Sequence, residues 1–489
     1  MHATSSRPPP SARRAQPALA ALAGAAALLL AACASPGPDK APIAALAPSQ
    51  LDLAPTATAG ANAQWWMALG DSALDALIAQ SLQGNPSLAV ARARTERALA
   101  LADATRAASG PQATFSAEAT RQRYTANGLV PAPIAGHVWN SGTLQAGLNW
   151  SPDFFGQHAA EQAAALGQAR AAQADAAAAE ATLSLQVARG YVALARTLAQ
   201  REVAERTLAQ RQEMLELTRQ RVSAGLDSQV EKTQAQAALP DIRAQIEALD
   251  EQALLARRQL AVLAGQAPDA QARLSPRLSA LVLQPQPTEL GADLLGRRPD
   301  VVAARWRVEA ATQDVAVART QFYPNINLGA FVGLSALGLD QLLNASSRQM
   351  GVTPALRLPL FDGGRLRAQL GGKRADLDTA IAQYNASVLD AVKEAGDAIG
   401  SGQSLVRQQH EQGEAMAGAE TAYALAMQRY GAGLGSYLVV LNAENQVLAQ
   451  RRLAVDLRAR QFDTYLALMK ALGGGWNDTT AAIQQAAAH

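Results

Sequence analysis

The sequence predicts a mainly α-helical chain with a small membrane β part. Three observations indicate this class. The segment from Gln220 to Leu226 returns as Gln428 to Leu434, a shift of 208 residues with five of the seven residues identical. Two long stretches rich in Ala, Leu, Gln, Glu and Arg contain no proline. Four short segments alternate apolar and polar side chains. A duplicated unit of long helices and short strands accounts for all three.

Composition excludes several classes of protein. Of 489 residues, 43 are Lys or Arg and 41 are Asp or Glu, so the net charge of +2 lacks the basic surplus of a nucleic-acid binder. Aromatic residues make up 4% and charged residues 17%, and alanine is abundant throughout. That favours helices but leaves few bulky core residues, as in an elongated protein. A single cysteine excludes an internal disulfide framework and a cysteine-based metal cluster.

The first 32 residues have the pattern of a secretory signal peptide. Basic residues up to Arg14 precede the uncharged run Pro17 to Leu30, and Leu-Ala-Ala-Cys closes it at Cys33. This ending resembles the bacterial lipobox, in which the cysteine becomes the lipid-modified first residue. Ala34 stands where an Asp would retain such a protein in the inner membrane, so the resemblance implies the outer membrane. The alternative is an uncleaved anchor with Cys33 as a buried thiol.

Each repeat is predicted to form one long helix and one shorter return helix. The proline-free stretches Gln157 to Val222 and Arg365 to Tyr430 have 66 residues each, or about 100 Å of straight helix. Return helices are predicted over Ser228 to Ala264 and Ser436 to Leu472. Pro240 should kink or split the first of them. Large apolar residues recur at seven-residue steps near the ends of the long helices, as in a coiled coil: Leu208, Leu215, Val222 and Met416, Tyr423, Tyr430.

The turns between these helices carry their own signals. Gly225 and Gly433 suit the left-handed backbone at a helix C-terminus. Ser228 followed by Glu231 has the form of a capping box for the return helix. Each repeat is therefore predicted to contain an antiparallel helical hairpin.

Four segments with a period of two are predicted to be strands. The patterns are strongest over 143–150 and 325–332 and weaker over 114–120 and 352–358, where Pro354 intervenes. The polar loop Thr125 to Asn140 joins the first pair of strands, and the segment Leu334 to Gln349 joins the second pair. Four strands cannot close a barrel, and lipid does not tolerate an open sheet edge. Two chains would give eight strands and three would give twelve; an aqueous lumen needs more than eight, which favours three.

Taken together, the residues resemble the TolC-like outer-membrane efflux family, in its lipoprotein or NodT branch. The resemblance extends over the whole mature chain and rests on an ordered set of motifs: the lipobox at Cys33, Trp65-Trp66 with Gly70-Asp71, Arg297-Arg298-Pro299-Asp300, the two Arg-x-x-x-Gly-Leu turns, and Lys470-Ala471-Leu472-Gly473-Gly474-Gly475-Trp476.

The resemblance implies a trimer with a twelve-stranded outer-membrane β-barrel, a twelve-helix periplasmic α-barrel and an equatorial belt. Its implied function is the passive exit duct of a tripartite efflux system. The implied partners are two further copies of the chain, a periplasmic adaptor (membrane fusion protein), an inner-membrane RND pump and outer-membrane lipid. No cofactor is expected apart from the lipid on Cys33, and the exported compound stays open.

The resemblance also assigns residues to the periplasmic end of the tube. The implied adaptor-docking set is Arg221, Val222, Gly225, Leu226, Arg429, Tyr430, Gly433 and Leu434. The alternative is that these glycines only turn the chain and the arginines complement a helix C-terminus. Asp227, tripled by symmetry, could form an aperture ring. Its counterpart is Gly435 where relatives often carry an acid, and Asp227 could instead be a helix cap.

The remaining motifs are interpreted as structural. Arg297 to Asp300 reads as a helix start, and Trp65, Trp66 and Trp476 are expected to pack in the belt. The histidines of the mature chain have no metal-ligand spacing, and charged residues on the helices are interpreted as a solvated or lumen-facing surface, so no enzyme is predicted. The predicted divisions are a signal peptide (1–32), a lipid-anchored extension (33–64), two repeats (65–275 and 276–476) and a tail (477–489).

Two other classes remain as alternatives. A periplasmic adaptor can also be a lipoprotein with a long helical hairpin, but it would carry one hairpin between β-rich domains. A structural coiled-coil lipoprotein without a channel would not need the alternating segments around Trp150 and Phe331.

Overall fold

A computed structural model describes residues 41–51, 62–285, 291 and 294–476 of the chain. The predicted signal peptide, Cys33 and the tail from 477 onward lie outside these residues. The helices are α1 Ser72–Gly84, α2 Pro86–Ala108, α3 Gln157–Ser223, α4 Gln229–Leu263, α5 Leu294–Arg297, α6 Pro299–Thr320, α7 Arg365–Gly431 and α8 Tyr437–Ala471. The strands are β1 Gln112–Arg123, β2 Val138–Trp150, β3 Asn325–Leu337 and β4 Arg348–Arg357. Single 3₁₀ turns occupy Pro48–Gln50, Trp65–Leu69, Leu339–Gln341 and Ala345–Ser347.

The element order confirms the predicted duplication. Helices α3 and α7 have 67 residues each, and α4 and α8 have 35 each. In both repeats a strand pair precedes the long helix. None of the helices in the described ranges is long and apolar enough to cross a membrane.

The two hairpin turns are built alike. Gly225 has φ of 74° and Gly433 has φ of 78°, the left-handed conformation that glycine adopts without strain. The amide of Leu226 donates to the carbonyl of Arg221 at 2.9 Å, and the amide of Leu434 donates to that of Arg429 at 2.8 Å. These bonds satisfy carbonyls that the helix end would otherwise leave unpaired.

Helix α4 is continuous at Pro240. It runs through Pro240 as one element, so of the predicted kink or split, the split does not occur. Pro240 lacks the N–H for one intrahelical bond, a loss worth about 3 kcal/mol in an exposed helix. Leu239 and Ile242, on either side, are buried against neighbouring helices, and this packing keeps the helix continuous.

Contacts divide the described chain into two units. The sheet unit contains residues 41–44, 97–169 and 306–382, and the helical unit contains residues 45–51, 62–96, 170–285, 291, 294–305 and 383–476. In the sheet unit, α6 packs on α7 through Val315, Ala318, Phe322, Leu366, Leu370, Leu377 and Ile381. Gly167 of α3 lies so close to Ala310 of α6 that a Cβ on the glycine would stand 3.1 Å from the Cβ of Ala310. Small residues thus allow close helix approach, as the alanine content predicts.

The core of the helical unit surrounds two tryptophans. Trp65 and Trp66 are buried and pack edge to face, with ring centroids 5.7 Å apart. The hydroxyl of Tyr191, itself fully buried, donates to Asp71 at 2.7 Å. Around them lie Leu69, Leu74, Ile78, Leu185, Val187, Leu194, Leu260, Phe462, Tyr465, Leu466 and Leu468, among other members of the same cluster.

Arg298 connects the start of α6 to the two helices of the second repeat. Only 3% of Arg298 is exposed; its guanidinium donates to Asp300 at 3.0 and 2.6 Å and to Glu394 at 2.8 Å. Lys470 donates to the other oxygen of Glu394 at 2.9 Å. Pro299 is the first residue of α6 and Asp300 lies in its first turn, as the helix-start interpretation predicts.

We predict that Gly475→Ala destabilises the helical unit. Gly475 has φ of 80°, and a Cβ there would stand 2.1 Å from the backbone oxygen of Asn62. Both the left-handed backbone and the contact disfavour alanine, by at least about 2 kcal/mol together. The temperature at which the helical circular dichroism is lost should fall by several degrees.

The matched control is Gly418→Ala. Gly418 lies inside α7 with no atom within 4 Å of a Cβ, so alanine should leave the transition temperature equal or slightly higher. Equal transition temperatures for the two variants would contradict the argument.

Candidate functional site

The four strands form one antiparallel sheet in the order β1-β2-β3-β4. The register pairs Phe115 with Ala146, Ala146 with Val332, and Val332 with Met350. All four predicted strands are present, and their ends differ from the prediction. Strands β1, β2 and β3 continue past the alternating segments, so the predicted loops Thr125 to Asn140 and Leu334 to Gln349 are shorter than expected.

Pro354 lies within β4 and pairs with Leu328. Within one chain β4 is an edge strand, the position where a sheet tolerates proline.

One face of the sheet is apolar across all four strands. Residues that pair directly across neighbouring strands point their side chains to the same face of the sheet. The register therefore shows which residues form the apolar face. Phe115 is 73% exposed and Met350 76% exposed, although both are large and apolar. The face consists of Ala113, Phe115, Ala117, Ala119, Leu144, Ala146, Leu148, Trp150, Ile326, Leu328, Ala330, Val332, Leu334, Ala336, Met350, Val352, Pro354 and Leu356. An exposed apolar sheet face of this extent suits lipid.

The opposite face is polar and rich in glycine. It carries Gln112, Thr114, Ser116, Glu118, Thr120, Gln122, Ser141, Thr143, Gln145, Gly147, Asn149, Asn325, Asn327, Gly329, Gly333, Ser335, Gln349, Gly351, Thr353 and Arg357. Its apolar exceptions are Trp139, Phe331, Leu337 and Ala355. Phe331 lies over Gly351, where a Cβ would come within 2.7 Å of its ring. A sheet with one lipid face and one water face is the wall of an aqueous channel.

A second candidate site lies at the tips of the two hairpins, where a buried ion pair joins them. The guanidinium of Arg221 donates to both carboxylate oxygens of Asp227, at 2.9 and 3.3 Å, and to the carbonyl of Tyr430 at 2.9 Å. The hydroxyl of Tyr430 donates to Asp227 at 2.5 Å and lies 3.2 Å from the hydroxyl of Thr218. The guanidinium of Arg221 also stacks 4.5 Å from the Tyr430 ring centroid. We call Thr218, Arg221, Asp227 and Tyr430 the tip interlock.

The charge of Asp227 is held by its partners. Burial acts to raise the pKa of Asp227, but the hydrogen bonds from Arg221 and Tyr430 and the charge of Arg221 outweigh it, so the pKa lies below its usual range. Burial and the bond to Asp227 raise the pKa of Tyr430. Asp227 is therefore an acceptor only and Tyr430 a donor throughout the physiological pH range.

The structure separates the eight predicted docking residues into two groups. Arg221 and Tyr430 are buried within the tip interlock, and Val222 is half-buried. Arg429, the counterpart of Arg221, is exposed together with both glycines of the turns. Leu226 and Leu434 are 63% and 71% exposed at the ends of the two hairpins. The exposed members give the tips an apolar surface that carries one arginine.

Asp227 is not the helix cap that the sequence allowed. The N-cap of α4 is Ser228, whose hydroxyl accepts from the amide of Val230 at 3.1 Å, while Glu231 accepts from the amide of Ser228 at 2.9 Å. This confirms the predicted capping box. Within this chain the carboxylate of Asp227 is engaged by Arg221 and Tyr430. An Asp227 ring at an aperture stays a prediction.

A second buried ion pair was missed by sequence reasoning. Arg211 and Glu444 have side chains 7% and 8% exposed, with Nε 3.1 Å from the carboxylate. Arg211 also donates to the carbonyl of Ala238 and to the side chain of Asn445, at 3.0 and 3.1 Å. The interpretation of helix charges as a solvated or lumen-facing surface is wrong for this pair. It ties α3 to α4 and α8 near the tips.

These two sites together define a class of protein. A sheet with a lipid face and a water face, combined with two antiparallel helical hairpins per chain, is the arrangement of TolC-like outer-membrane channels. The family model described as "Outer membrane efflux protein" matches residues 77–266 and 290–474. The chain belongs to this outer-membrane efflux family.

Characterised relatives agree with this assignment. Multidrug resistance outer membrane protein MdtP of Shigella flexneri is 34% identical over 461 residues, which cover 92% of this chain and 94% of MdtP. Fusaric acid resistance protein FusA of Burkholderia cepacia is 40% identical over 371 residues, 73% of this chain and 69% of FusA. The crystal structure of the outer membrane protein VceC of Vibrio cholerae matches with a TM-score of 0.81 at 36% identity, over 85% of this chain and 99% of VceC.

The chain is thus an outer-membrane efflux channel protein, as the resemblance implied. The adaptor and coiled-coil alternatives are wrong, because the family match spans both repeats and the strands form the predicted membrane sheet.

We predict that Leu148→Asp prevents insertion of the sheet into the outer membrane. Leu148 lies on the apolar face, where a charge in lipid costs up to a few kcal/mol. The amount of the variant recovered in isolated outer membranes should fall at least about tenfold. The control is Asn149→Asp, one residue on and on the polar face, which should insert normally; equal recovery of both variants would contradict the assignment of faces.

We predict that Asp227→Asn loosens both tips. It leaves Arg221 buried without its counter-charge, at a cost of about 2 kcal/mol or more. Amide hydrogen exchange within 218–231 and 426–436 should therefore accelerate. Glu216→Gln, which removes an exposed carboxylate on the same helix, should leave exchange unchanged. Similar exchange in both variants would mean that the ion pair does not hold the tips.

The same interlock predicts a pH dependence. The pKa of Asp227 is lowered in the folded state. The contribution of Asp227 to folding stability is therefore complete above the pKa it has in the unfolded chain, and it is lost as pH falls through the pKa it has in the folded chain. Protection of the wild-type tips should persist down to about pH 4 and decrease below it.

Proposed function

We propose that three copies of the chain form the passive exit duct of a tripartite efflux system. The observation that carries this proposal is the sheet: four strands with one lipid face, one water face and an unpaired edge on both β1 and β4. In lipid, unpaired backbone groups each cost several kcal/mol, so the edges must pair with other chains. Three chains give twelve strands, which leave a wider interior than the filled one of eight.

The energy for export comes, in this proposal, from an inner-membrane pump of the RND type. The duct itself opens and closes without catalysis, and no cofactor takes part. MdtP is named for multidrug resistance and FusA for fusaric acid resistance. These names support drugs or other toxic small molecules as the cargo of this chain.

We further propose that Cys33 carries the lipid that anchors the N-terminal extension to the membrane. The support is the sequence Leu-Ala-Ala-Cys after an uncharged run. In the mature protein, Cys33→Ala should abolish incorporation of labelled palmitate. Mass spectrometry of the wild-type N-terminal peptide should show an acylated cysteine. An unmodified Cys33 within a longer, uncleaved chain would contradict the anchor.

The periplasmic adaptor docks, in our proposal, on the exposed members of the tip set. Leu226, Arg429 and Leu434 offer two apolar side chains and one positive charge on solvent-exposed turns. Arg221 and Tyr430 act indirectly, by holding the two turns together through the tip interlock.

We predict that Leu226→Asp combined with Leu434→Asp abolishes drug export while the channel still assembles. Both leucines are exposed, so aspartate adds charge to the docking surface without disturbing the core. Export is measured as drug susceptibility, and assembly as the amount in the outer membrane. Leu129→Asp, at a fully exposed leucine in the loop between β1 and β2, is the control and should export normally. Unchanged export by the tip variant would remove the tips from the docking proposal.

A further inference from the structure

The apolar face of the sheet ends in arginines on one side. Arg121 and Arg123 lie on β1 and Arg348 begins β4; all three are exposed. The register places them on the apolar face, since Arg121 pairs with Asn140 and Arg348 with Leu334. No ion pair or side-chain hydrogen bond joins any of the three to another residue within the described part of the chain. Charged side chains on a lipid face require a polar partner from outside the chain.

The arginines stand at one boundary of the apolar band. From Gln112 to Arg121 is nine residues, about 30 Å of strand, or about 23 Å along the membrane normal at a tilt near 40°. The apolar band of outer-membrane barrels is about 25 Å tall. Arg121 and Arg123 therefore reach the level of the lipid headgroups, about 7 Å apart along the strand.

The opposite boundary is aromatic. Trp150 ends β2 on the same apolar face, and Phe155 stacks on Tyr323 just beyond the strands, with ring centroids 5.2 Å apart. Phe154 and Phe361 are also exposed there. Aromatic residues suit an interface of either charge, whereas the arginines select an anionic headgroup. The two boundaries of the sheet thus differ in chemistry.

The topology distinguishes the two boundaries. Helices α2, α3, α6 and α7 connect to the strands at the aromatic end, while the arginine end carries only the loops 124–137 and 338–347. Under the proposed function, on which this inference rests, the helices lie in the periplasm. The arginine end then faces the outer leaflet and the exterior.

We propose that Arg121 and Arg123, supported by Arg348, bind the phosphate groups of a phosphorylated glycolipid of the outer leaflet. Two guanidinium groups on one edge strand can each donate two parallel hydrogen bonds to phosphate oxygens. The acyl chains of the same lipid cover the adjoining apolar face around Phe115 and Ala117. Because β1 is an edge strand, this lipid lies at the junction with the next chain and stabilises the closed barrel there.

The test measures binding of fluorescent lipopolysaccharide to the full-length protein in mild non-ionic detergent. Arg121→Gln combined with Arg123→Gln should weaken binding about 30-fold, since each arginine near a lipid surface contributes about a factor of five. Arg348→Gln should weaken it further. The matched control is Arg357→Gln, an exposed arginine on the polar face at the other end of β4, which should bind as wild type does.

The source of the phosphate is tested with three competitors. Enzymatically dephosphorylated lipopolysaccharide should bind wild type as weakly as intact lipopolysaccharide binds the double variant. Inorganic phosphate and phosphatidylglycerol micelles should displace little of the bound lipid. Displacement by inorganic phosphate alone, or equal binding to wild type and the double variant, would overturn the proposal.

Orientation is measured separately, so that failure of the proposed function can be distinguished. Asn127→Cys places a thiol in the loop beside the arginines, and a membrane-impermeant maleimide should label it on intact cells. Labelling only after the outer membrane is opened would overturn the orientation and the proposed function with it. Labelling on intact cells together with unchanged lipid binding would overturn the glycolipid site alone.

Discussion

The need to pair every backbone group in lipid constrains this chain more than any other interaction. Its four strands hydrogen-bond to one another but leave the outer backbone groups of β1 and β4 unpaired within the chain. The sheet of one chain is therefore only part of a barrel. Its alternation of lipid-facing and water-facing side chains suits a membrane only when further strands pair with both edges and close the barrel.

The hairpin helices of the two repeats are equal in length, but the tips have diverged. Arg221 is buried and ion-paired, while its counterpart Arg429 is exposed. Asp227 accepts from Tyr430 of the other repeat, where the counterpart position holds Gly435. The first repeat therefore supplies the charges of the interlock, and the second supplies Tyr430, whose hydroxyl donates to Asp227 and whose carbonyl accepts from Arg221. A duplicated gene product gains in this way a contact that neither copy could make alone.

Sequence patterns predicted the ends of the four hairpin helices to within one residue. The reason is that Gly225, Gly433 and the Ser228 capping box act locally, on the residues beside them. Strand β1 was predicted too short because its outer end, Arg121 to Arg123, is polar on both faces and the alternation disappears. Helix α4 is not split at Pro240, because packing of Leu239 and Ile242 overrides a local helix-breaking preference.

The candidate site was predictable only in part. The turns were identified by their repetition, but the partners within them are distant in sequence: Asp227 and Tyr430 are separated by 203 residues, and Arg211 and Glu444 by 233. A helical charge pattern does not show which charges a neighbouring helix will bury. The arginines at the end of the apolar face likewise become visible only in the strand register.

The most direct test of the central claim is the mass of the protein extracted from outer membranes in mild detergent, with bound detergent and lipid subtracted. The account predicts three times the mass of the mature chain, because twelve strands are needed to close the wall around water. A mass corresponding to one chain would leave both sheet edges unpaired in lipid and would contradict the account.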